Sequence, residues 1–267
     1  MASPQPAAPR EEPLLLVEKA DGIARLTLNR PAARNALSRP LMGDLQAALA
    51  DAAEDATVRV LVIAASGPAF SAGHDLREVK AADRAGLEAL FAQCSALMTA
   101  LVRHPKPVIA EVHGIATAAG CQLVASCDLA VAAAGTRFGT PGVNIGLFCS
   151  TPMVALSRAV GRKQALQMLL TGDMIDAETA LDFGLINQVV PAEGLTAAVT
   201  ELATKIASKS SLTLKIGKEA FYHQIEQGLD EAYAYASRVM VENMMARDAQ
   251  EGISAFIEKR PPTWCGA

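Results

Sequence analysis

Two apolar runs, "RVLVIAA" (Arg59 to Ala65) and "KPVIAEVH" (Lys106 to His113), each lead into a stretch rich in glycine and alanine. Runs of this length read as strands buried on both faces, which is the situation of parallel strands flanked by helices. Asp83 to Arg103 lies between them with the spacing of a long helix, so the order is strand, helix, strand. The composition agrees: 51% of residues are hydrophobic but only 4% aromatic, leaving Ala, Val, Leu and Ile to build the core. An α/β fold is the expectation.

Further elements fill in around that pair. "LLLVEK" and "IARLTL" flank "ADG", a hairpin signal. "LSRPLMGDLQAALADAAED" reads as a helix, with Ser38 as N-cap and Pro40 in its first turn. A short helix over Ala118 to Ser126 precedes the strand "DLAVAA", and Gly184 to Val190 supplies one more strand. From Leu195 the pattern is almost wholly helical, which places a subdomain boundary near Pro191. The organisation is then a tail over 1–13, a core over 14–194 and a helical subdomain over 195–267. The helix carrying Met240, Met244 and Met245 has more apolar surface than a lone exposed helix tolerates, so it packs on the core or on another subunit.

The formal net charge of −4 and the lack of a basic cluster exclude the usual footprint of a nucleic-acid binder. No uninterrupted apolar run reaches the roughly 18 residues of a membrane span. The opening segment, with Pro4, Pro6, Pro9 and Pro13, suits a disordered leader better than a signal or transit peptide. Cys94, Cys121, Cys127, Cys149 and Cys265 are odd in number and lack CxxC spacing, so reduced thiols and a cytoplasmic location are expected, with no metal site.

Chemistry is concentrated at two strand-to-helix junctions, "FSAGHDLREV" (Phe70 to Val79) and "HGIATAAGCQL" (His113 to Leu123). Small residues there let a ligand approach the backbone, and a helix start leaves amide N–H groups without intrahelical acceptors. Two such amides can hold one oxygen, and the helix dipole favours negative charge on it. An enolate derived from a thioester is a ligand of that kind.

The blocks "LNRPAARNALS", "AFSAGHDLREV", "KPVIAEVHGIATAAGCQLVASCD", "TRFGTPGVNIGL", "LTGDMIDAETALDFGLINQVV" and "EGISAFIEKRPPTW" occur in this order and at matching distances in another group of proteins. Together they resemble the enoyl-CoA hydratase/isomerase (crotonase) superfamily from Leu14 onward. The resemblance implies a spiral of ββα units with C-terminal helices, assembled as a homotrimer or a dimer of trimers. It implies an acyl-CoA ligand, with coenzyme A arriving as part of the substrate and no permanently bound cofactor. The thioester oxygen would sit between the amides of His74 and Ala119. Contacts to coenzyme A would come from Arg34, Ala36, Ala72, Asp75 and Leu76, and from Phe256 and Lys259, often supplied by a neighbouring subunit. As an enzyme the chain would be a lyase or isomerase of acyl-CoA or fatty-acid metabolism.

One departure stands out. The hydratases of this family add water with two glutamates, and the matching positions here are Gln122 and Gly142. Glutamine orients water but exchanges no protons near neutral pH, and glycine has no side chain to offer. A positioned acid or base contributes about 10²–10⁴ in rate, so ordinary hydration is expected to be slow. Two alternatives stay open: a malonyl-type acyl-CoA decarboxylase, whose relatives share "AGHD", and a non-catalytic acyl-CoA binder.

Overall fold

The computed structural model describes residues 12–267, so most of the 1–13 tail lies outside the described residues. Strands β1 (Leu15–Ala20) and β2 (Ile23–Leu28) pair antiparallel around Asp21 and Gly22, which take φ of 51° and 80°. Positive φ at both turn residues gives a two-residue hairpin the twist its strands need. Helix α1 (Arg39–Glu54) starts as expected: the Leu41 amide donates to Ser38 Oγ at 3.4 Å, and Pro40 falls where no N–H is required.

The chain then alternates. Strand β3 (Val60–Ala65) is followed by α2 (Leu76–Ala81) and α3 (Arg84–Val102), and β4 (Val108–Val112) by β5 (Ile115–Thr117) and α4 (Ala119–Ser126). Next come β6 (Leu129–Ala133), β7 (Arg137–Gly139), α5 (Ser150–Ala159) and α6 (Arg162–Thr171). They lead to β8 (Ile175–Asp176), α7 (Ala177–Phe183) and β9 (Gln188–Val190). Four helices end the chain: α8 (Leu195–Ala207), α9 (Ser211–Gln224), α10 (Leu229–Met245) and α11 (Arg247–Glu258).

Six strands form one sheet in the order β1-β2-β3-β4-β6-β9, parallel from β2 onward, and β5-β7-β8 form a second. Both faces of the large sheet are covered at its central strands β3 and β4, which explains the unbroken apolar runs. Leu61 and Ile63 of β3 face the main core with α1 and α3, while Val60 and Val62 face Leu195, Val199 and Ala203 of α8. The expected boundary at residue 194 therefore does not divide the packing, because α8 packs on the large sheet.

Helix α3 is 19 residues long and, by length and composition alone, apolar enough to cross a membrane. Its residues Leu90, Cys94, Leu97, Met98 and Leu101 are buried, and it packs on α1 and α4. Helix α9 is tied to the core by Asp128, whose Oδ2 accepts from Lys218 Nζ and the Val108 amide, each at 2.7 Å. Tyr222 donates to its Oδ1 at 2.9 Å. His104 is buried, with ring nitrogens on the Leu49 and Lys106 carbonyls at 3.0 and 3.1 Å.

Candidate active site

The two glycine-rich junctions meet. After β3 the chain runs beside β5: Phe70 N donates to His113 O, Ser71 N to Ile115 O and Thr117 N to Ser71 O, all at 3.0–3.1 Å. The approach is tight enough to exclude a side chain on Gly120, whose Cβ would stand 2.3 Å from the Ser71 carbonyl oxygen. Gly73 has φ +90°, and a Cβ built there would lie 3.0 Å from Ala118 Cβ and 3.4 Å from Ala119 N. The His74 and Ala119 amides thus belong to two segments in contact. Ala119 is the first residue of α4, so its N–H has no intrahelical acceptor. Pairing between Leu37 and the first junction runs through the Gly73 carbonyl, 2.7 Å from Leu37 N.

Ala118 takes φ 50° and ψ −117°, a backbone conformation that glycine adopts without strain and alanine does not. The Gly139 carbonyl holds it in place by accepting from Ala118 N at 2.9 Å. This turn sets the direction of the amide that follows, and composition alone gave no sign of the strain.

Gln122 is buried on α4, and its Oε1 accepts weakly from the Cys94 thiol of α3 at 3.9 Å. His74 is half-buried and stands edge-on to Phe91 of α3, ring centroids 5.3 Å apart. Burial holds its pKa below the ordinary 6.5 and outweighs the opposing influence of the Leu37 backbone and Glu78. The ring is neutral at physiological pH.

The second acid position is closed as well as empty of acid. A Cβ on Gly142 would lie 2.4 Å from the Leu147 carbonyl oxygen and 2.8 Å from Cys149 Sγ. Leu147 N donates back to Gly142 O at 2.9 Å, so the loop folds onto the glycine. Burial raises the Cys149 pKa and the Gly142 amide opposes this only in part, which keeps the thiol protonated. Cys94 and Cys121 are likewise pushed up, to about 11 and about 12, by burial. The steric role of Cys149 was not evident in the sequence, since it joins residues across a folded loop.

Of the residues expected at coenzyme A, Arg34 is exposed in the left-handed conformation (φ 50°), and its carbonyl accepts from Ala72 N at 3.0 Å. That bond brings the Arg34, Ala36 and Ala72 blocks together. Asp75 caps α2 by accepting from Arg77 N at 3.1 Å, and its other oxygen accepts from Arg30 at 3.1 Å. Leu76 is exposed. Phe256 and Lys259 are not brought to this group: α11 packs chiefly on α9 and α10, and Phe256 is 85% exposed. The Ser71 hydroxyl is used locally, donating to Asn35 O at 2.9 Å and accepting from Gly73 N.

The profile of the enoyl-CoA hydratase/isomerase family matches residues 18–267. The chain belongs to that family. Among curated relatives it is 50% identical over 264 residues to "Enoyl-CoA hydratase domain-containing protein 3, mitochondrial" of Rattus norvegicus, covering 98% of this chain and 88% of the relative. The crystal structure of an enoyl-CoA hydratase from Mycobacterium smegmatis superposes with TM-score 0.93 at 52% identity, over 95% of this chain and 99% of that one. That of human enoyl Coenzyme A hydratase domain-containing protein 3 gives TM-score 0.92 at 48% identity, over 94% and 100%. As an enoyl-CoA hydratase/isomerase family member, the chain has the crotonase-like architecture with C-terminal helices and an acyl-CoA-related role. The cytoplasmic expectation is corrected by the same relatives, whose names are mitochondrial in rat, frog, mouse and human. Reduced thiols report a reducing environment and carry no address for one compartment.

Proposed function

We propose that this chain binds acyl-CoA thioesters and stabilises a thioester enolate between the main-chain amides of His74 and Ala119. The observation that carries the reading is the contact between residues 73–74 and 118–119, where the Gly73 Cβ position is 3.4 Å from Ala119 N. Each such donor is worth about 10²–10³ in rate. Arg34, Ala36, Ala72, Asp75 and Leu76 flank this point and would hold the coenzyme. Phe256 and Lys259 would come from a second copy of the chain. The exposed apolar side chains of α10, Leu229, Tyr233, Met240, Val241 and Met245, support that assembly, because no residue of this helix is buried within one copy.

Gln122 exchanges no protons and the slot at Gly142 is filled, so hydration of a simple enoyl thioester proceeds slowly. That closure favours a second reading, decarboxylation of a malonyl-type thioester. There the bond from the α-carbon to the carboxylate breaks, its electron pair enters the enolate, CO₂ departs and a solvent proton later adds to the α-carbon. No side-chain base is needed to start it. Mass spectrometry of a panel of acyl thioesters after incubation with the protein is the test. Gain of water at ordinary hydratase rates overturns the discount on hydration, and loss of CO₂ from malonyl, methylmalonyl or ethylmalonyl thioesters supports the second reading. Saturable binding with unchanged mass and chromatographic mobility identifies a carrier.

A further inference from the structure

His74 contributes more to the site than an amide. Both its ring nitrogens are inaccessible to solvent, and neither has a hydrogen-bond partner among the described residues. Folded proteins leave few buried polar atoms in that state, because each forfeits its bonds to water. The Leu37 backbone is near enough to influence the ring, yet completes no hydrogen bond of ordinary geometry.

The position of the ring indicates what it meets. It packs edge-on against Phe91, with an angle of 88° between the planes. Phe91 and Cys94 are three residues apart on α3 and so share one face of that helix. Cys94 in turn touches Gln122 Oε1. His74 and Gln122 therefore both meet the same face of α3, one through Phe91 and the other through Cys94. A neutral imidazole offers one donor and one acceptor, and a primary amide offers both kinds.

Resting on the acyl-CoA reading above, we infer that the His74 ring and the Gln122 amide form a polar subsite for an oxygen substituent on the second or third carbon of the acyl chain. The substituent must lie near the thioester carbonyl, because the ring belongs to the residue whose amide would hold that carbonyl. A hydroxyl, a keto oxygen and a carboxylate share the required chemistry. A plain hydrocarbon chain leaves the buried nitrogens unpaired, and sites built to bond an oxygen reject analogues that lack it.

The test is calorimetric binding to the full chain and to His74→Phe, which keeps the amide and the aromatic contact but removes both nitrogens. The ligands are butyryl-CoA, 3-hydroxybutyryl-CoA, acetoacetyl-CoA and methylmalonyl-CoA, with product mass followed in parallel. The full chain should prefer at least one oxygen-bearing thioester to butyryl-CoA by about 10-fold or more, and His74→Phe should lose that preference. Equal affinities in the full chain, or an undiminished ratio in the variant, overturn the inference. If His74→Phe fails to fold, the His74 ring resonances of the full chain decide: movement with the preferred oxygen-bearing ligand and none with butyryl-CoA supports it, and no movement with any ligand refutes it. Failure of the underlying acyl-CoA reading looks different, since then butyryl-CoA does not bind either.

Discussion

The Cys149 thiol stands in the volume that a side chain on Gly142 would need, its Sγ 2.8 Å from the Cβ position of the glycine. The Leu147 carbonyl closes the same volume from the backbone at 2.4 Å. Gly142→Glu should therefore destabilise by about 1–3 kcal/mol or more through overpacking, and add no hydratase activity. Gln122→Glu preserves shape and should raise crotonyl-CoA hydration about 10²-fold. Thermal melts and the loss of conjugated-thioester absorbance check both. A stable double variant faster than Gln122→Glu alone would show that the slot is open.

Ala118 invites the opposite experiment. Relief of its positive-φ strain is worth about 1–3 kcal/mol, against roughly 0.5–1 kcal/mol lost to the greater freedom of unfolded glycine. Ala118→Gly should thus stabilise by about 1 kcal/mol, read as a higher denaturant midpoint at unchanged slope. Ala118→Val should destabilise, since a β-branched residue resists φ 50° more strongly.

The Lys218–Asp128 pair holds α9 to the core at 2.7 Å, with side-chain exposures of 8% and 17%. Lys218→Met strands a carboxylate that still accepts from Val108 N and Tyr222, and should cost about 3–5 kcal/mol. The double change Lys218→Met with Asp128→Asn should recover part of that loss. A cycle of melts over the four proteins measures the coupling.

A pH dependence follows from the C-terminal segment. Burial disfavours ionised Asp248, but bonds from Ser210 Oγ and the Cys265 and Gly266 amides outweigh it and lower its pKa from 3.8 to about 2. Arg260, then the Thr263 amide, lower that of Glu251 from 4.5 to about 2. A carboxylate whose pKa is lower in the folded than in the unfolded state stabilises the fold above its unfolded pKa. The contribution is full above about pH 5 and disappears as pH falls to about 2. The Asp248→Asn, Glu251→Gln variant should melt several degrees below the parent at neutral pH, and the gap should narrow on acidification.

Features written in local chemistry were legible in the sequence: the Asp21-Gly22 turn, the Ser38 cap and the two-sided burial of β3 and β4. The family resemblance added the pairing of the His74 and Ala119 junctions, which spacing alone leaves open. What stayed hidden is relational. Strands β5, β7 and β8 are two or three residues long, too short to show alternation. The helical pattern of α8 reports an apolar face without saying that the large sheet receives it. The position of Phe91 and Cys94 over His74 and Gln122 depends on how α3 is rotated, which apolar spacing fixes only when the partner face is known.

The strained turn at Ala118 shapes how this protein can change over generations. Apparatus made of peptide groups has no side chain to lose, and replacement of Ala119 by anything but proline keeps its N–H. A carbonyl held by such peptide groups, as proposed for His74 and Ala119, would keep its donors through changes in the side chains around it.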